Sequence, residues 1–217
     1  MTESAPAYLA TVAAAYDGVA EVYAGHFADV LDRQPVERAL LAAFADLVRD
    51  LTGPVADLGC GPGYATAHLH RLGLDVFGVD LSAAMVTLAR TAYPELRFDV
   101  GTLTALDLPD RTLSGALCRY SLIHTPPADL PAVLAEIHRV LAPGGHLLLG
   151  FLATDEPAAG VHAYDHRVTR AYRWPPDHLS RLVSQAGLAE VAQFVRAPTE
   201  EERGRQAQLL ARRPQET

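Results

Sequence analysis

His124 stands in YSLIHTPP, behind an apolar run and ahead of two prolines. An imidazole with an ordinary pKa of about 6.5 is suited to taking a proton at neutral pH. General base and loop-capping histidine are the two readings open to it. HAYDH sets His162 and His166 four residues apart, with Tyr164 and Asp165 between them. On a helix the two imidazoles would share a face and suit a metal. The surroundings read as irregular and no further ligand is spaced to help, so no metal is expected. His162, Tyr164 and His166 read instead as parts of a lid over a substrate. Trp174 and Tyr172 either wall an apolar substrate pocket with Tyr164 or belong to the core. Tyr16 and Tyr23 recur at helical spacing in YDGVAEVY.

A second group lies in VADLGCGPGYA, where glycine occupies positions 59, 61 and 63. Glycine at alternate positions makes neither a helix nor a good strand, so a ligand is expected to approach the backbone there. A dinucleotide loop needs G-x-G-x-x-G, and counting from Gly59 its last glycine falls on the bulky Tyr64. Asp57 opposes a diphosphate as well, and would welcome an ammonium group. Asp80, in GVDLS, follows Gly59 by 21 residues and ends a second apolar run. An acid at that place accepts hydrogen bonds from both hydroxyls of a ribose. A nucleoside with a cationic amino-acid end and no phosphate is S-adenosylmethionine.

These residues need elements to position them. Helical periodicity runs from Ala7 to about Val30, and Pro35 opens a second helix through Leu40, Phe44 and Leu47. From Gly53 strands and helices alternate. PVADL, LDVFGVD, LRFDV, LSGALCRYSLI and HLLLGFL are predicted strands. Tyr64 to Leu72, and SAAMVTLARTAY with Ser82 as cap, are predicted helices. Asp129 is expected to cap a further helix with a stripe of Leu130, Val133, Leu134, Ile137, Val140 and Leu141, stopped by Pro143-Gly144-Gly145. A helix from Asp177 to Ala186 leads to EVAQFV and QAQLLAR. Residues 154–176 read as the long irregular stretch. The pattern predicts an α/β fold: a doubly wound, Rossmann-like, seven-stranded and mostly parallel sheet with N-terminal helices. One domain is expected over 1–217: a helical cap at 1–50, a cofactor-binding core at 51–152, and a substrate-side segment with the last two strands at 153–217.

Composition narrows the partners. The chain has 217 residues, 49% of them hydrophobic, and a formal net charge of −8. The basic stretches His166 to Arg173 and Arg203 to Arg213 are short and mixed with acids or aromatics, which argues against nucleic acid. Cys60 and Cys118 form no disulfide framework. The opening residues lack a basic signal-peptide region, and no apolar run approaches the ~18 residues of a membrane span. A cytoplasmic protein without membrane association is expected, its oligomeric state open.

The segments VADLGCGPGYAT, VFGVDLSAAMVTLAR, FDVGTLTALDLPD, LSGALCRYSLIHTPP and EIHRVLAPGGHLLLGF together resemble a class I S-adenosylmethionine-dependent methyltransferase of the small UbiE/methyltransferase-11 type. They follow the family's order over about residues 50–152. The resemblance implies that Gly59, Gly61 and Gly63 pass under the methionine moiety and that Asp80 holds the ribose. Leu81 and Met85 would flank the adenine, and Thr102 and Leu103 would cover its edge. Thr102 stands where many relatives carry an acid for the adenine amino group, so here a hydroxyl or the backbone would take it. Asp57, Tyr23 and Tyr120 complete the implied cofactor contacts, and Tyr16 faces the acceptor. The implied reaction is methyl transfer to a small-molecule acceptor, oxygen favoured, leaving S-adenosylhomocysteine. Two alternatives stand beside it. One is a scaffold, such as a cyclase, that binds the sulfonium without transferring methyl; the less favoured one is an NAD-dependent oxidoreductase.

Overall fold

The computed structural model describes residues 6–154, 156, 158 and 160–215. The periodic stretch from Ala7 is three helices rather than one: α1 (Ala7–Asp17), α2 (Ala20–Phe27) and the short α3 (Val30–Arg33). The first break falls at Gly18 and Val19. There Asp17 Oδ1 is drawn away to accept hydrogen bonds from Ser82 Oγ at 2.6 Å and the Ala84 amide at 3.1 Å. α4 (Pro35–Val48) starts on Pro35, whose fixed φ suits a first helical position. It buries Leu41, Phe44, Ala45 and Val48 along one stripe.

The alternating part comprises β1 (Val55–Leu58), α5 (Tyr64–Arg71), β2 (Val76–Asp80), α6 (Ala83–Ala92), β3 (Phe98–Val100), β4 (Leu113–Arg119), α7 (Leu130–Val140) and β5 (Leu141–Leu152). After them come β6 (His162–Tyr164), β7 (Ala171–Arg173), α8 (Pro176–Gln185), β8 (Ala189–Arg196) and β9 (Gln206–Arg212). A seven-stranded sheet runs in the order β3-β2-β1-β4-β5-β9-β8. Its first five strands are parallel, and β9 enters antiparallel between β5 and β8. The order reverses at β1 and β4, the switch point where open sheets receive ligands.

Both faces of the sheet are covered. Leu130, Val133, Leu134 and Ile137 of α7 join Leu179 and Val183 of α8 over one core. Leu41, Phe44 and Val48 of α4 join Ala65 and Leu69 of α5 over another. Each leucine so buried contributes about 1.5–3 kcal/mol. Phe44 lies so close to the sheet that a Cβ on Gly115 would meet its Cζ at 2.8 Å.

Four local expectations are corrected. β4 ends at Arg119, because Tyr120 takes a left-handed φ of 56° and Leu122–His124 form a 3-10 turn. Asp129 precedes α7 without a side-chain capping bond. Pro143-Gly144-Gly145 lies inside β5 as an irregularity, the Gly144 amide donating to the Arg213 carbonyl and the Gly145 carbonyl accepting from the Arg213 amide. Residues 154–176 are not wholly irregular, since β6 and β7 pair as an antiparallel hairpin.

Candidate active site

The ends of β1, β2 and β4 lie side by side, and the loops leaving them line a cleft of about 890 Å³, its open mouth included. Tyr16 of α1 and Tyr23 of α2 line it from the cap side.

The three loop glycines answer to three different neighbours. A Cβ on Gly59 would lie 2.1 Å from Ser121 Cβ, and one on Gly63 would lie 2.8 Å from Phe98 Cζ. Only at Gly61 would a Cβ meet open space, although its φ of 53° still favours glycine. Gly59 and Gly61 line the cleft, whereas Gly63 packs on Phe98 beneath it. Expecting all three to serve ligand approach therefore merged packing with access.

Asp80 lines the cleft with both oxygens anchored. Oδ2 accepts from the Gly61 amide at 2.7 Å, and Oδ1 from the Ser82 amide at 2.8 Å. The Leu81 amide also favours the carboxylate, and a carboxylate's roughly four acceptor sites leave capacity beyond these donors. Burial raises the Asp80 pKa, partly offset by these amides. Leu81, Met85, Thr102 and Leu103 continue the lining, with Met85 fully buried and Thr102 Oγ1 spent on Thr104 Oγ1 at 2.9 Å.

Asp57 is elsewhere. It is 1% exposed, lies outside the cleft lining, and accepts the Thr66 hydroxyl at 2.6 Å. Burial pushes its pKa up to about 6, which Thr66 and Arg119 restrain. Asp57 thus faces inward, bonded to Thr66 and outside the cleft lining.

Arg119, absent from the sequence-level candidates, is the guanidinium of the cleft. Nε points to Glu37 Oε2 at 3.4 Å, one terminal nitrogen to Tyr64 Oη at 3.3 Å and the other to Gln34 Oε1 at 3.1 Å. Glu37, 3% exposed, also accepts from Tyr120 Oη, Gln208 Nε2 and Arg196. Arg196 in turn pairs with Glu202 at 2.5 Å. Two arginines and two glutamates thus balance in a buried set spanning α4, β4, β8 and the loop before β9. Beside it, Ser121 Oγ is buried with no neighbour of hydrogen-bonding kind but the weakly donating Cys118 thiol. No local pattern marks Glu37, because its partners lie more than eighty residues away.

His124 also lines the cleft, 6% exposed. Its Nδ1 lies 2.8 Å from the Arg170 carbonyl and its Nε2 2.8 Å from Tyr16 Oη. A carbonyl only accepts, so Nδ1 carries the proton and Nε2 takes the bond from the Tyr16 hydroxyl. Burial lowers the His124 pKa and holds the ring neutral at pH 7. His166 stands edge-on to His124 at 5.3 Å, and Tyr164 edge-on to His166 at 5.9 Å. His162, Tyr164 and His166 lie outside the cleft lining. Of the two readings open to Trp174, pocket wall and core, the structure shows core: it is 2% exposed, within the cluster under α7 and α8. Among the described residues no group of three His, Cys, Asp or Glu is placed to hold a metal ion, and no helix is long and apolar enough to cross a membrane.

A family profile described as "Methyltransferase domain" matches residues 55–145. A malonyl-[acyl-carrier protein] O-methyltransferase of Dechloromonas aromatica is 33% identical over 165 residues, 74% of this chain and 61% of the relative. The chain therefore spans about three fifths of that relative's length. Magnesium protoporphyrin IX methyltransferase of Synechocystis, solved with bound S-adenosylmethionine, superposes with a TM-score of 0.74 at 18% identity, covering 98% of this chain and 100% of that one. The [4+2]-cyclase SpnF gives 0.70 at 19%, covering 84% of each. At such identities the structural likeness concerns the fold. Sheet order, glycine loop, strand-two acid and profile match agree, and together they support a class I S-adenosylmethionine-dependent methyltransferase.

Proposed function

We propose that this chain methylates a small-molecule acceptor, at oxygen in preference to nitrogen or carbon. S-adenosylmethionine, when bound, supplies a methyl group on a cationic sulfur. The cleft fits it on three observations. Gly61 leaves open space, Asp80 lines the cleft with acceptor capacity left for a ribose hydroxyl, and Ser121 Oγ lacks a strong partner. Asp80 and Arg119 end strands on either side of β1, roughly 10 Å apart at the usual strand spacing. A nucleoside amino acid laid across β1 with its ribose at Asp80 would bring its carboxylate to Arg119 and its ammonium to Ser121.

The observation that carries the reading is the chain Tyr16 Oη, His124 Nε2, His124 Nδ1, Arg170 carbonyl. Tyr16 receives the acceptor's hydroxyl proton while passing its own to Nε2. The imidazolium that results keeps its Nδ1 proton on the Arg170 carbonyl. A proton-taking group of this kind contributes about 10²–10⁴-fold for a hydroxyl acceptor and little for an amine already neutral. Neutral His124 at pH 7 favours the oxygen reading.

Tyr16→Phe and His124→Asn are expected to lower turnover of a hydroxyl acceptor by about 10²-fold or more, with S-adenosylhomocysteine affinity by calorimetry unchanged. Turnover near the parent value in both variants would remove the relay. Product formed without S-adenosylhomocysteine would favour the scaffold reading, for which the cyclase likeness is the observation.

A further inference from the structure

The acceptor side of the cleft is bordered by a hairpin of unusual charge for an acidic protein. Residues 161–173 hold Arg167, Arg170 and Arg173 against the single acid Asp165. The fold carries Arg203, thirty residues on, to the same place: the Arg173 guanidinium donates to the Arg203 carbonyl and covers the Tyr164 ring at 4.7 Å from its centroid. The two basic stretches, each weak in the sequence, therefore form one surface.

That surface reaches the reacting end of the cleft. The Arg170 carbonyl is the group that holds His124 Nδ1. From His124 the rings of His166 and Tyr164 lead edge to edge to Arg173. Arg203 and Arg167 both lie near enough to His166 to help hold its pKa down to about 4, behind the larger effects of burial and of His124.

Asp165 is the one acid of the hairpin, and the acids at 201 and 202 are engaged elsewhere. Glu202 is tied to Arg196 and Glu201 to Arg33. Arg167, Arg170 and Arg203 are exposed, and none has a side-chain ion pair among the described residues. Like charges gathered beside a cleft, three hairpin arginines and Arg203 against the one hairpin acid Asp165, raise the local concentration of anions.

We infer that the acceptor carries an anionic group, a carboxylate or a phosphate, which docks on Arg167, Arg170 and Arg203 while its reacting atom faces Tyr16 and His124. This rests on the methyl-transfer reading of the cleft. Guanidinium forks suit both anions because each offers paired oxygens to parallel N–H donors.

The test titrates the full chain, saturated with S-adenosylhomocysteine, with three probes by calorimetry: glutarate, inorganic pyrophosphate and neutral glutaramide. One or both anions are expected to bind, and glutaramide is not. An Arg167→Gln/Arg203→Gln variant is expected to bind the anion about tenfold or more weakly, and added salt to weaken the parent likewise. Binding of glutarate alone marks a carboxylate acceptor, and of pyrophosphate alone a phosphate. Absence of anion binding, or equal anion affinity in parent and variant, overturns the inference and leaves the methyl-transfer reading standing. Failure of S-adenosylhomocysteine itself to bind would remove both.

Discussion

The end of β2 and the end of β4 contribute one charged group each to the same cleft, by opposite means. Asp80 is oriented by the amides of Gly61 and Ser82, nineteen and two residues away. Arg119 is oriented by Glu37, Gln34 and Tyr64, which are 82, 85 and 55 residues away. Backbone amides are donors whatever the side chains are, so the acid's setting follows from a short local motif. The guanidinium's setting needs several elements packed before any of its partners arrives. The comparison separates a site the chain makes locally from one it makes only by folding.

The largest expected break is at Glu37. Its replacement by alanine leaves Arg119 and Arg196 buried without their shared carboxylate, and loss of one partner of a buried pair costs about 3–5 kcal/mol. Urea denaturation should show that loss; a midpoint within error of the parent would mean that the buried set adds nothing to stability.

Asp80 and Arg119 are next, and they sharpen the contrast through ligand choice. Asp80→Asn should weaken S-adenosylhomocysteine and 5′-methylthioadenosine alike, since both carry the ribose, by about 1.5–3 kcal/mol for each charged hydrogen bond lost. Its melting temperature should fall modestly, because the Asn amide nitrogen would face an amide donor at Gly61 or Ser82. Arg119→Met should weaken only S-adenosylhomocysteine, which carries the carboxylate, by a similar amount per bond. Equal weakening of both ligands by both substitutions would dissolve the distinction between the two ends.

The smallest effect concerns Asp57. Its folded pKa of about 6 lies above the ordinary 3.8. Between these values the folded state holds more proton than the unfolded chain, so stability falls as pH rises through that window and then levels off. Asp57→Asn should flatten the fall while keeping an acceptor for Thr66. Denaturation at a series of pH values reads the slope directly, and an unchanged slope would assign it to another group.

Legibility followed range. The alternation of strands and helices, the glycine loop and Ser82 as the α6 cap are all readable, because each rests on spacing within about thirty residues. Ser82 Oγ does accept from the Met85 amide, at 3.1 Å. The break after α1 was not readable, because Asp17 bonds to Ser82, 65 residues later. Pro143-Gly144-Gly145 misleads for a related reason. The Gly144 amide and the Gly145 carbonyl pair with Arg213, so the turn-forming triplet is held in a strand. Trp174 has the composition of a pocket wall and the position of a core residue.

By itself the sequence determined the alternation of strands and helices, the glycine loop after β1 and the acid at the end of β2. These depend on local steric freedom, side-chain periodicity and main-chain donors. Only the tertiary structure decided that Asp57 turns inward, that Glu37 and Arg119 share one buried set, that Tyr16 meets His124, and that the two arginine stretches border one surface. Each of those is a contact between distant segments, and a buried charge or hydrogen bond has no partner until the chain closes around it.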